Sequence, residues 1–406
     1  MAQNTRSISA IRLSAQFRQL DYGRHSRAIW RYAKMGQPIA LDKFQKFFLE
    51  DVEEAYPEIE RTEILPDALH RRAAEAHCYR LTLPNEYGGH EMQLMEFLRY
   101  LEAAAAGPGI GRMLVHTTNG VWRPLHQFGN AEQKAIISKI PNGDAVVAFC
   151  LTEQTGGTGR DLKSRGVRDG DNWLISGEKH LITFADRATH FILVVATDDR
   201  GAEDSLTAFF IPRDTPGFEI DTSQHTMGLH GTGHAFLRYK NMVVPDSQRL
   251  GKVGQGLEVA LSFLDYSRVS LSACMVGMAQ RALDEAVAFS KRRVTFGQPI
   301  STRQAMQGHI ATMHADIEAG RHLVEHAARL CQDGEDFTPQ AATAKLFCLN
   351  MVGRVTDLSL RVHGGWGYTK AAPIERIYRD ARGFWFEEGT AEIQQLVVAR
   401  YVMSKN

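Results

Sequence analysis

The sequence lacks several features that would assign a class of function directly. Lys and Arg equal Asp and Glu at 47 each, so net charge gives no case for nucleic-acid or membrane binding. The five cysteines are scattered without a Cys-x-x-Cys pair, which predicts reduced thiols in a cytosol-like compartment. No apolar run approaches the ~20 residues of a membrane span. The 16 His residues show no metal-site spacing with Cys. A chain of 406 residues remains long enough for a large core and several domains.

The N-terminal segment 1–40 is the exception to this charge balance. Residues 1–35 carry seven Lys or Arg residues and a single acid, Asp21. Such a basic leader is typical of a transit peptide, and it also resembles an interaction arm, whereas Trp30 and Tyr32 favour a packed extension. We interpret the segment as a basic extension of a cytoplasmic protein. A transit peptide would place the protein in the mitochondrial matrix instead.

The rest of the chain divides into three parts by sequence pattern. Residues 41–144 show helical apolar spacing, residues 145–252 show short β-rich runs, and residues 253–406 are helical again. Strands grouped without intervening helices predict an antiparallel sheet or barrel. The stretch Arg168-Asp169-Gly170-Asp171 is typical of a hairpin turn. The pattern therefore predicts an α+β, mostly α, fold, with a ligand site between the domains.

The stretch FWFEEGTAEIQQL, residues 384–396, is the strongest candidate for chemistry. Two glutamates, Glu387 and Glu388, directly precede a helix pattern that begins near Thr390. Unpaired N–H groups at a helix start can receive an oxyanion, so a carboxylate here is a candidate base. The alternative is that both glutamates are surface charges. Because side chains alternate along a regular backbone, we expect only one of them to face a site.

Seven collinear stretches resemble the acyl-CoA dehydrogenase flavoprotein family. They are LPNEYGG (83–89), CLTEQTGGTGRD (150–161), ISGEKHLITF (175–184), LDYSRVSLSACMVGMAQRALDEAVAFSKRRVTFGQPI (264–300), HGGWGY (363–368), PIERIYRDAR (373–382) and EEGTAEIQ (387–394). The resemblance covers about 41–406. It implies an N-terminal helical domain, a central β-barrel-like domain and a C-terminal four-helix bundle. It also implies FAD as cofactor and a homotetramer or dimer.

The implied reaction is α,β-dehydrogenation of an acyl thioester to the 2-enoyl thioester. The resemblance makes Glu388 the base for the α-proton, while flavin N5 takes hydride from Cβ. The thioester is expected to be linked to CoA or to an acyl carrier protein. The acceptor of the electrons is expected to be an electron-transfer flavoprotein or O2. An ordinary Glu has a pKa of about 4.3, so we expect exclusion of water to raise the pKa of the base.

The resemblance also implies the binding residues. Those implied for FAD are Cys150, Leu151, Thr152, Leu181, Ile182, Thr183, Arg293, Phe296, Gln304, Arg361, Gly364, Gly365, Thr390 and Glu392. Those implied for the substrate are Thr158, Asp265, Arg268, Glu387 and Gly389.

Several of these positions leave alternatives open. Glu387 stands where the family has an apolar residue or Tyr, so it either points outward or meets a polar or cationic acyl group. Asp265 and Arg268 could instead form only a helical charge pair. We interpret His230 and His234 as structural loop residues.

Two other interpretations of the protein's function remain open. Flavin oxidases, monooxygenases and other enzymes use the same scaffold, but the retained Glu-Gly-Thr at 388–390 favours dehydrogenation. Leu181, in place of the usual aromatic residue, leaves oxygen reactivity open. A nucleic-acid-associated flavoprotein is favoured only by the basic segment 1–40, and a steep loss of binding with salt would be its signature.

Overall fold

The structure is a computed structural model that describes residues 38–157, 161–197, 205–222 and 224–405. The basic residues 1–37 and Thr158 lie outside the described residues. Residues 38–406 form one compact unit.

The first part of this unit is helical, as its apolar spacing predicts. Its helices are α1 (Leu41–Lys46), which continues into a π-helical turn (Phe47–Val52), α2 (Glu53–Thr62), α3 (Asp67–Glu75), α4 (Leu94–Ala105), α5 (Gly109–Phe128) and α6 (Ala131–Ile137). Helix α5 is buried over most of its length, and the N–H of its first residue, Gly109, donates to the buried carboxylate of Asp380 at 3.0 Å. This bond fixes the start of α5 against the C-terminal helices.

The central part is one sheet. Its strands are β1 (Val147–Cys150), β2 (Arg165–Asp169), β3 (Asn172–Ile182), β4 (His190–Ala196), β5 (Leu206–Pro212), β6 (Phe218–Asp221), β7 (Ala235–Pro245) and β8 (Arg249–Leu250), in the order β6-β7-β3-β2-β4-β5-β8, with β1 beside β4. The predicted hairpin turn joins β2 to β3, with Gly170 at a φ of 58°. Most strand pairs are antiparallel, as expected, but β1 and β2 both pair with β4 in parallel.

The last part is again helical. It comprises α7 (Gly256–Arg292), a short hairpin of β9 (Val294–Thr295) and β10 (Gln298–Pro299), α8 (Gln304–Gln332), α9 (Thr338–His363), α10 (Pro373–Gly383) and α11 (Ala391–Ser404). Helix α9 packs against α7, α8 and α11. Helix α7 has the length and hydropathy of a membrane-crossing segment, but 72% of its most apolar window is buried among the other helices. That burial makes α7 the core helix of this bundle.

Two apolar cores hold the unit together. The larger core joins the N-terminal helices to the C-terminal helices and reaches one face of the sheet. The smaller core fills the interior of the β-part. The sequence turns from helices to strands between Ile137 and Val147, and back between Leu250 and Gly256. The exact domain boundaries at 144 and 252 stay predictions.

Candidate active site

The two adjacent glutamates lie in the short connection between α10 and α11. The backbone there is left-handed, with φ of 53° at Glu388 and 86° at Gly389. Because the chain turns instead of continuing as a regular strand, both carboxylates reach the same helix, α5. The expectation that only one glutamate faces inward is therefore wrong.

Glu388 faces a polar cluster between α5 and α7. Its Oε1 lies 3.5 Å from Nε2 of His116, whose side chain is almost fully buried. The same Nε2 is 3.2 Å from the hydroxyl of Ser267, and Nδ1 is 3.2 Å from the hydroxyl of Ser270. We name His116, Ser267 and Ser270 the α5–α7 polar cluster. It occupies the space next to the candidate base.

These neighbours set the pKa of Glu388. Burial alone raises it, but hydrogen bonds from His116 and Ser267 and the positive charge of Lys345 lower it below its ordinary value. The expectation of a raised pKa is therefore wrong for the protein without bound ligands. The reason is that the site supplies donors to the carboxylate as well as excluding water. Glu388 is thus ionised and able to accept a proton.

A buried lysine holds the loop that carries the base. The Nζ of Lys345, a fully buried residue of α9, donates to the backbone carbonyls of Glu387 and Gly389. Two further donors act on the same loop, Nε of Arg268 to the Glu388 carbonyl at 3.4 Å and Nε2 of Gln394 to the Gly389 carbonyl at 3.1 Å. Because these carbonyls are bonded, the loop keeps the turn that directs Glu388 toward His116.

Replacing Lys345 with Met should therefore misplace the base. We expect kcat to fall by about 10²-fold, because a small misplacement of a reacting group is enough for such a loss. FAD content should stay unchanged, since the hydrogen bonds of Lys345 to described residues all go to this loop. Steady-state kinetics together with the flavin spectrum measure both effects, and an unchanged kcat would contradict this role.

The same variant tests the pKa of the lysine. Burial lowers the pKa of Lys345 to about 8 from its ordinary 10.5. Between these two pH values the unfolded chain binds the proton more tightly than the folded chain, so folding gains stability as the pH rises. The unfolding free energy of the wild type relative to Lys345→Met should rise from pH 8 to 10.5 and stay flat below pH 8. A difference that stays flat or falls over this range would show that burial does not lower the pKa of Lys345.

Glu387 points into the protein, so the outward alternative is wrong. Its carboxylate forms a two-pronged ion pair with Arg112, at 2.7 Å from Nη2 and 2.9 Å from Nη1. The guanidinium is fully buried and lies over the ring of Phe384 at 3.9 Å. Burial raises the pKa of Glu387, but the charge and hydrogen bonds of Arg112 hold it below its ordinary value. Because Arg112 already neutralises it, Glu387 is not a free anion awaiting a cationic acyl group.

Asp265 and Arg268 form a charge pair along helix α7, which was the alternative to a role in substrate binding. Their carboxylate and Nη1 are 2.5 Å apart, and Asp265 also accepts a hydrogen bond of 2.7 Å from the hydroxyl of Thr338. Arg268 has the additional bond to the base loop described above. The pair therefore joins α7 and the start of α9 to that loop, and its contact with a substrate stays a prediction.

The residues expected at the flavin ring meet at one end of the sheet. The N–H of His180 donates to the carbonyl of Thr152 at 2.8 Å, which ties the end of β3 to the loop after β1. A break in register near this end accompanies the left-handed φ of 55° at Leu181 and leaves Thr183 half-buried. Ile182 is buried in the β-core, so only its backbone is available there. Cys150 is also buried, and its thiol bonds to a carbonyl of its own strand.

This end of the sheet lies close to the base-bearing helices. The ring of Phe149 in β1 packs on Phe263 of α7 with centroids 5.1 Å apart, one helical turn before Ser267. The glycines 364 and 365 have open space where a side chain would begin. The half-buried hydroxyls of Thr152 and Thr183 fit the edge of a large flat ring, and the open backbone of the two glycines fits the close approach of a phosphate-bearing tail. These residues therefore fit FAD.

The remaining predicted cofactor residues lie on the surface of the single chain. Phe296, at the β9–β10 hairpin, is 96% exposed. Arg293, Gln304 and Glu392 are exposed as well. Arg361 is exposed beside Asp357, at 3.9 Å. Thr390 is half-buried and directly precedes α11, and its side chain forms no capping hydrogen bond to that helix. Phe296, Arg293, Gln304 and Arg361 therefore face solvent in the single chain, whereas Thr390 and Glu392 follow Glu388 directly in sequence.

The two loop histidines bond to protein groups. His230 lies 3.1 Å from a Glu60 carboxylate oxygen and 3.0 Å from the carbonyl of Thr226. His234 is bonded to the Thr232 hydroxyl at 2.8 Å, and burial lowers its pKa. Both contacts agree with a structural role. Within the described ranges, no group of three or more His, Cys, Asp or Glu residues could hold a metal.

Sequence reasoning missed three residues of this site. Arg112 and His116 stand one helical turn apart in a stretch that is otherwise largely apolar, and a basic pair on a buried face is a signal for a polar site. Lys345 stands alone in the apolar stretch AATAKLFCL, residues 341–349. A lone buried lysine needs acceptors, which would have directed attention to a neighbouring loop.

Comparison with known proteins agrees with this fold. Family models match along the chain for the acyl-CoA dehydrogenase N-terminal domain at residues 37–140, the middle domain at 148–242 and the C-terminal domain at 254–403. An acyl-CoA dehydrogenase of Bacillus subtilis is 32% identical over 85% of this chain and 92% of its own.

Two solved structures share the architecture. Butyryl-CoA dehydrogenase of Megasphaera elsdenii has a TM-score of 0.84 at 28% identity, covering 91% of this chain and 100% of its own. A chain from the structural study of the electron transferring flavoprotein of Acidaminococcus fermentans has a TM-score of 0.85 at 30% identity, covering 92% and 99%.

Fold and site together define an FAD-dependent oxidoreductase that acts on acyl thioesters. The chain belongs to the acyl-CoA dehydrogenase family.

Proposed function

We propose that this protein dehydrogenates a short acyl-CoA, with Glu388 as the base that removes the α-proton. The observation that carries the proposal is the position of Glu388: an ionised carboxylate on a fixed turn, directly before a helix start. The relative in Megasphaera elsdenii is a butyryl-CoA dehydrogenase, which supports a short acyl group. A carrier-protein thioester is the alternative form of the substrate.

In this proposal each group of residues has a distinct role. Glu388 accepts the α-proton, and the donors of Lys345, Arg268 and Gln394 hold its loop in place. The α5–α7 polar cluster lies against the base and excludes bulk water from it. FAD, when bound, supplies the hydride acceptor for Cβ. Leu151, Thr152, Thr183 and the backbone of Ile182 would hold the flavin ring.

The experiment that tests this proposal is anaerobic addition of butyryl-CoA to the purified FAD-loaded protein. Loss of the flavin absorbance is the expected result. An unchanged spectrum with CoA thioesters and with carrier-protein thioesters would contradict dehydrogenation.

We further propose that FAD is shared between subunits of a homotetramer or dimer. A phenylalanine that is 96% exposed at a hairpin tip is costly in water and suits burial in an interface. Arg293 lies exposed on the same turn and would serve the cofactor's phosphates. Trp366 and Tyr368 add exposed aromatic surface beside the open glycines.

Replacing Phe296 with Ala should weaken both assembly and FAD retention. The expected result is a smaller particle in light scattering and a lower flavin-to-protein ratio after gel filtration. Val294→Ala, on the same hairpin and 54% exposed, serves as a milder comparison. A Phe296→Ala protein with unchanged mass and flavin content would contradict the shared site.

For the electron acceptor we propose an electron-transfer flavoprotein, supported by the relative from the Acidaminococcus fermentans study. One observation favours direct use of O2 as a second candidate: Leu181 is 38% exposed at the flavin end of the sheet. Rapid reoxidation of the reduced protein by air would support the oxidase. We propose the cytoplasm as the location, in keeping with free cysteines at all five positions.

A further inference from the structure

The side chains of α5 and α7 next to Glu388 are polar, and we call them the polar wall of the site. They are the α5–α7 polar cluster of His116, Ser267 and Ser270. Any substrate must place its α-carbon at the Glu388 carboxylate, which already lies 3.5 Å from His116. Groups beyond Cβ that extend past His116 then meet α5 and α7. The side chains that α5 and α7 present there include an imidazole and the hydroxyls of Ser267 and Ser270.

One turn away on α5, the Arg112–Glu387 ion pair extends this polar wall. Residues four apart share a helix face, so Arg112 and His116 stand side by side. Glu387 adjoins the base in sequence, and His234 is close enough for its pKa to respond to the Glu387 charge. A hydrocarbon tail in this region would leave these buried groups facing apolar atoms, which costs free energy.

The charges at this wall also argue against a charged acyl group. Arg112 and Glu387 neutralise each other, and Glu388 adds a second carboxylate. A substrate carboxylate would meet two glutamates with one guanidinium between them. A substrate ammonium would compete with Arg112 for Glu387 and leave the guanidinium buried without its partner.

One buried donor beside the polar cluster lacks an acceptor, and this favours a substrate with an oxygen acceptor. Nε of Arg112 is buried and has no hydrogen-bond partner within the described part of the chain. A guanidinium N–H can only donate, so the group that would satisfy it is an acceptor such as a hydroxyl or carbonyl oxygen. The serine hydroxyls and the imidazole can donate or accept in turn.

We infer that the substrate of this enzyme is a short acyl thioester with a neutral hydroxyl group just beyond Cβ, bound by the α5–α7 polar cluster and the Arg112–Glu387 pair. This inference rests on the proposed function, because it takes Glu388 to mark the α-carbon. It assigns specificity to residues that have no direct part in the proton transfer.

The test measures binding separately from chemistry. FAD-loaded Glu388→Gln protein is titrated calorimetrically with four CoA thioesters: butyryl, 4-hydroxybutyryl, succinyl and octanoyl. We expect 4-hydroxybutyryl-CoA to bind about tenfold more tightly than butyryl-CoA, as one or two buried hydrogen bonds allow. Succinyl-CoA and octanoyl-CoA should bind more weakly than both.

A double variant then identifies the residues responsible. In Glu388→Gln protein, replacing Arg112 and Glu387 together with Leu removes the pair without leaving one charge buried alone. The preference for the hydroxyl over butyryl should fall by at least threefold. The matched control is the double Leu variant of Arg376 and Glu53, a pair that joins α10 to α2 and in which Nη2 of Arg376 donates to both carboxylate oxygens of Glu53 at 2.8 Å. It should keep the preference.

Two results would overturn the inference while leaving dehydrogenation in place. Equal or tighter binding of butyryl-CoA or octanoyl-CoA would show that the wall does not recognise a hydroxyl. Tightest binding of succinyl-CoA would show that Arg112 serves an anion. Failure of dehydrogenation appears elsewhere, as a wild-type flavin spectrum that no thioester changes, so the two failures are distinguishable.

Discussion

Glu388→Gln should lower the rate of flavin reduction by a bound acyl-CoA by about 10²–10⁴-fold, the usual contribution of a general base. Glutamine has nearly the size of glutamate and can still bond to His116, so the loop and the binding of the thioester should be kept. It cannot accept a proton as the carboxylate does. Rapid-mixing absorbance of the flavin, with anaerobic protein and excess acyl-CoA, measures the rate.

The control for this variant is Glu58→Gln, an exposed glutamate on α2. It should reduce its flavin at the wild-type rate. If Glu388→Gln also kept that rate, another group would have to be the base. Because Glu387 is held by Arg112 on the same face of α5, Glu387→Gln would then be the next variant to measure.

The largest effect on stability is expected at Arg112. Replacing it with Leu leaves the Glu387 carboxylate in a buried site without its partner, and breaking a buried pair in this way costs about 3–5 kcal/mol. Loss of the guanidinium also removes its contact with the Phe384 ring at 3.9 Å. The unfolding free energy from denaturant titration of the FAD-loaded protein measures this loss.

Removing both partners should restore much of what the single change loses. With Leu at positions 112 and 387, no buried charge remains unpaired, and such replacements are often near neutral. The double variant should therefore be more stable than Arg112→Leu by about 2 kcal/mol or more. A double variant less stable than the single one would mean that Glu387 is stabilised by other groups, such as His234.

The candidate base could be predicted from the sequence, whereas the residues that surround it could not. The EEGT stretch before a helix pattern is local, so a candidate base could be recognised from the residues alone. Its surroundings are not local: His116 is 272 positions earlier than Glu388, since 388 − 116 = 272, and only the packing of α5 against α7 brings them together. The lowered pKa of Glu388 follows from these neighbours and could not be predicted without them.

In the fold, too, features set by neighbouring residues could be predicted and features set by residues distant in sequence could not. The helical character of the C-terminal part follows from apolar spacing, and the β2–β3 hairpin follows from its Gly170 turn. The parallel pairing of β1 and β2 with β4 does not, because strand neighbours that are distant in sequence leave no local pattern. The expectation that only one glutamate faces a site failed for a related reason: the argument from alternation assumed a regular backbone, and a left-handed turn at Glu388 breaks it.

The most direct test of the central claim is exchange of the α-proton. The FAD-loaded wild type is incubated anaerobically with butyryl-CoA in D2O, and mass spectrometry follows deuterium at Cα of the recovered thioester. Incorporation by the wild type and its loss in Glu388→Gln is the result we predict. Equal incorporation by both proteins would contradict the assignment of Glu388 as the base.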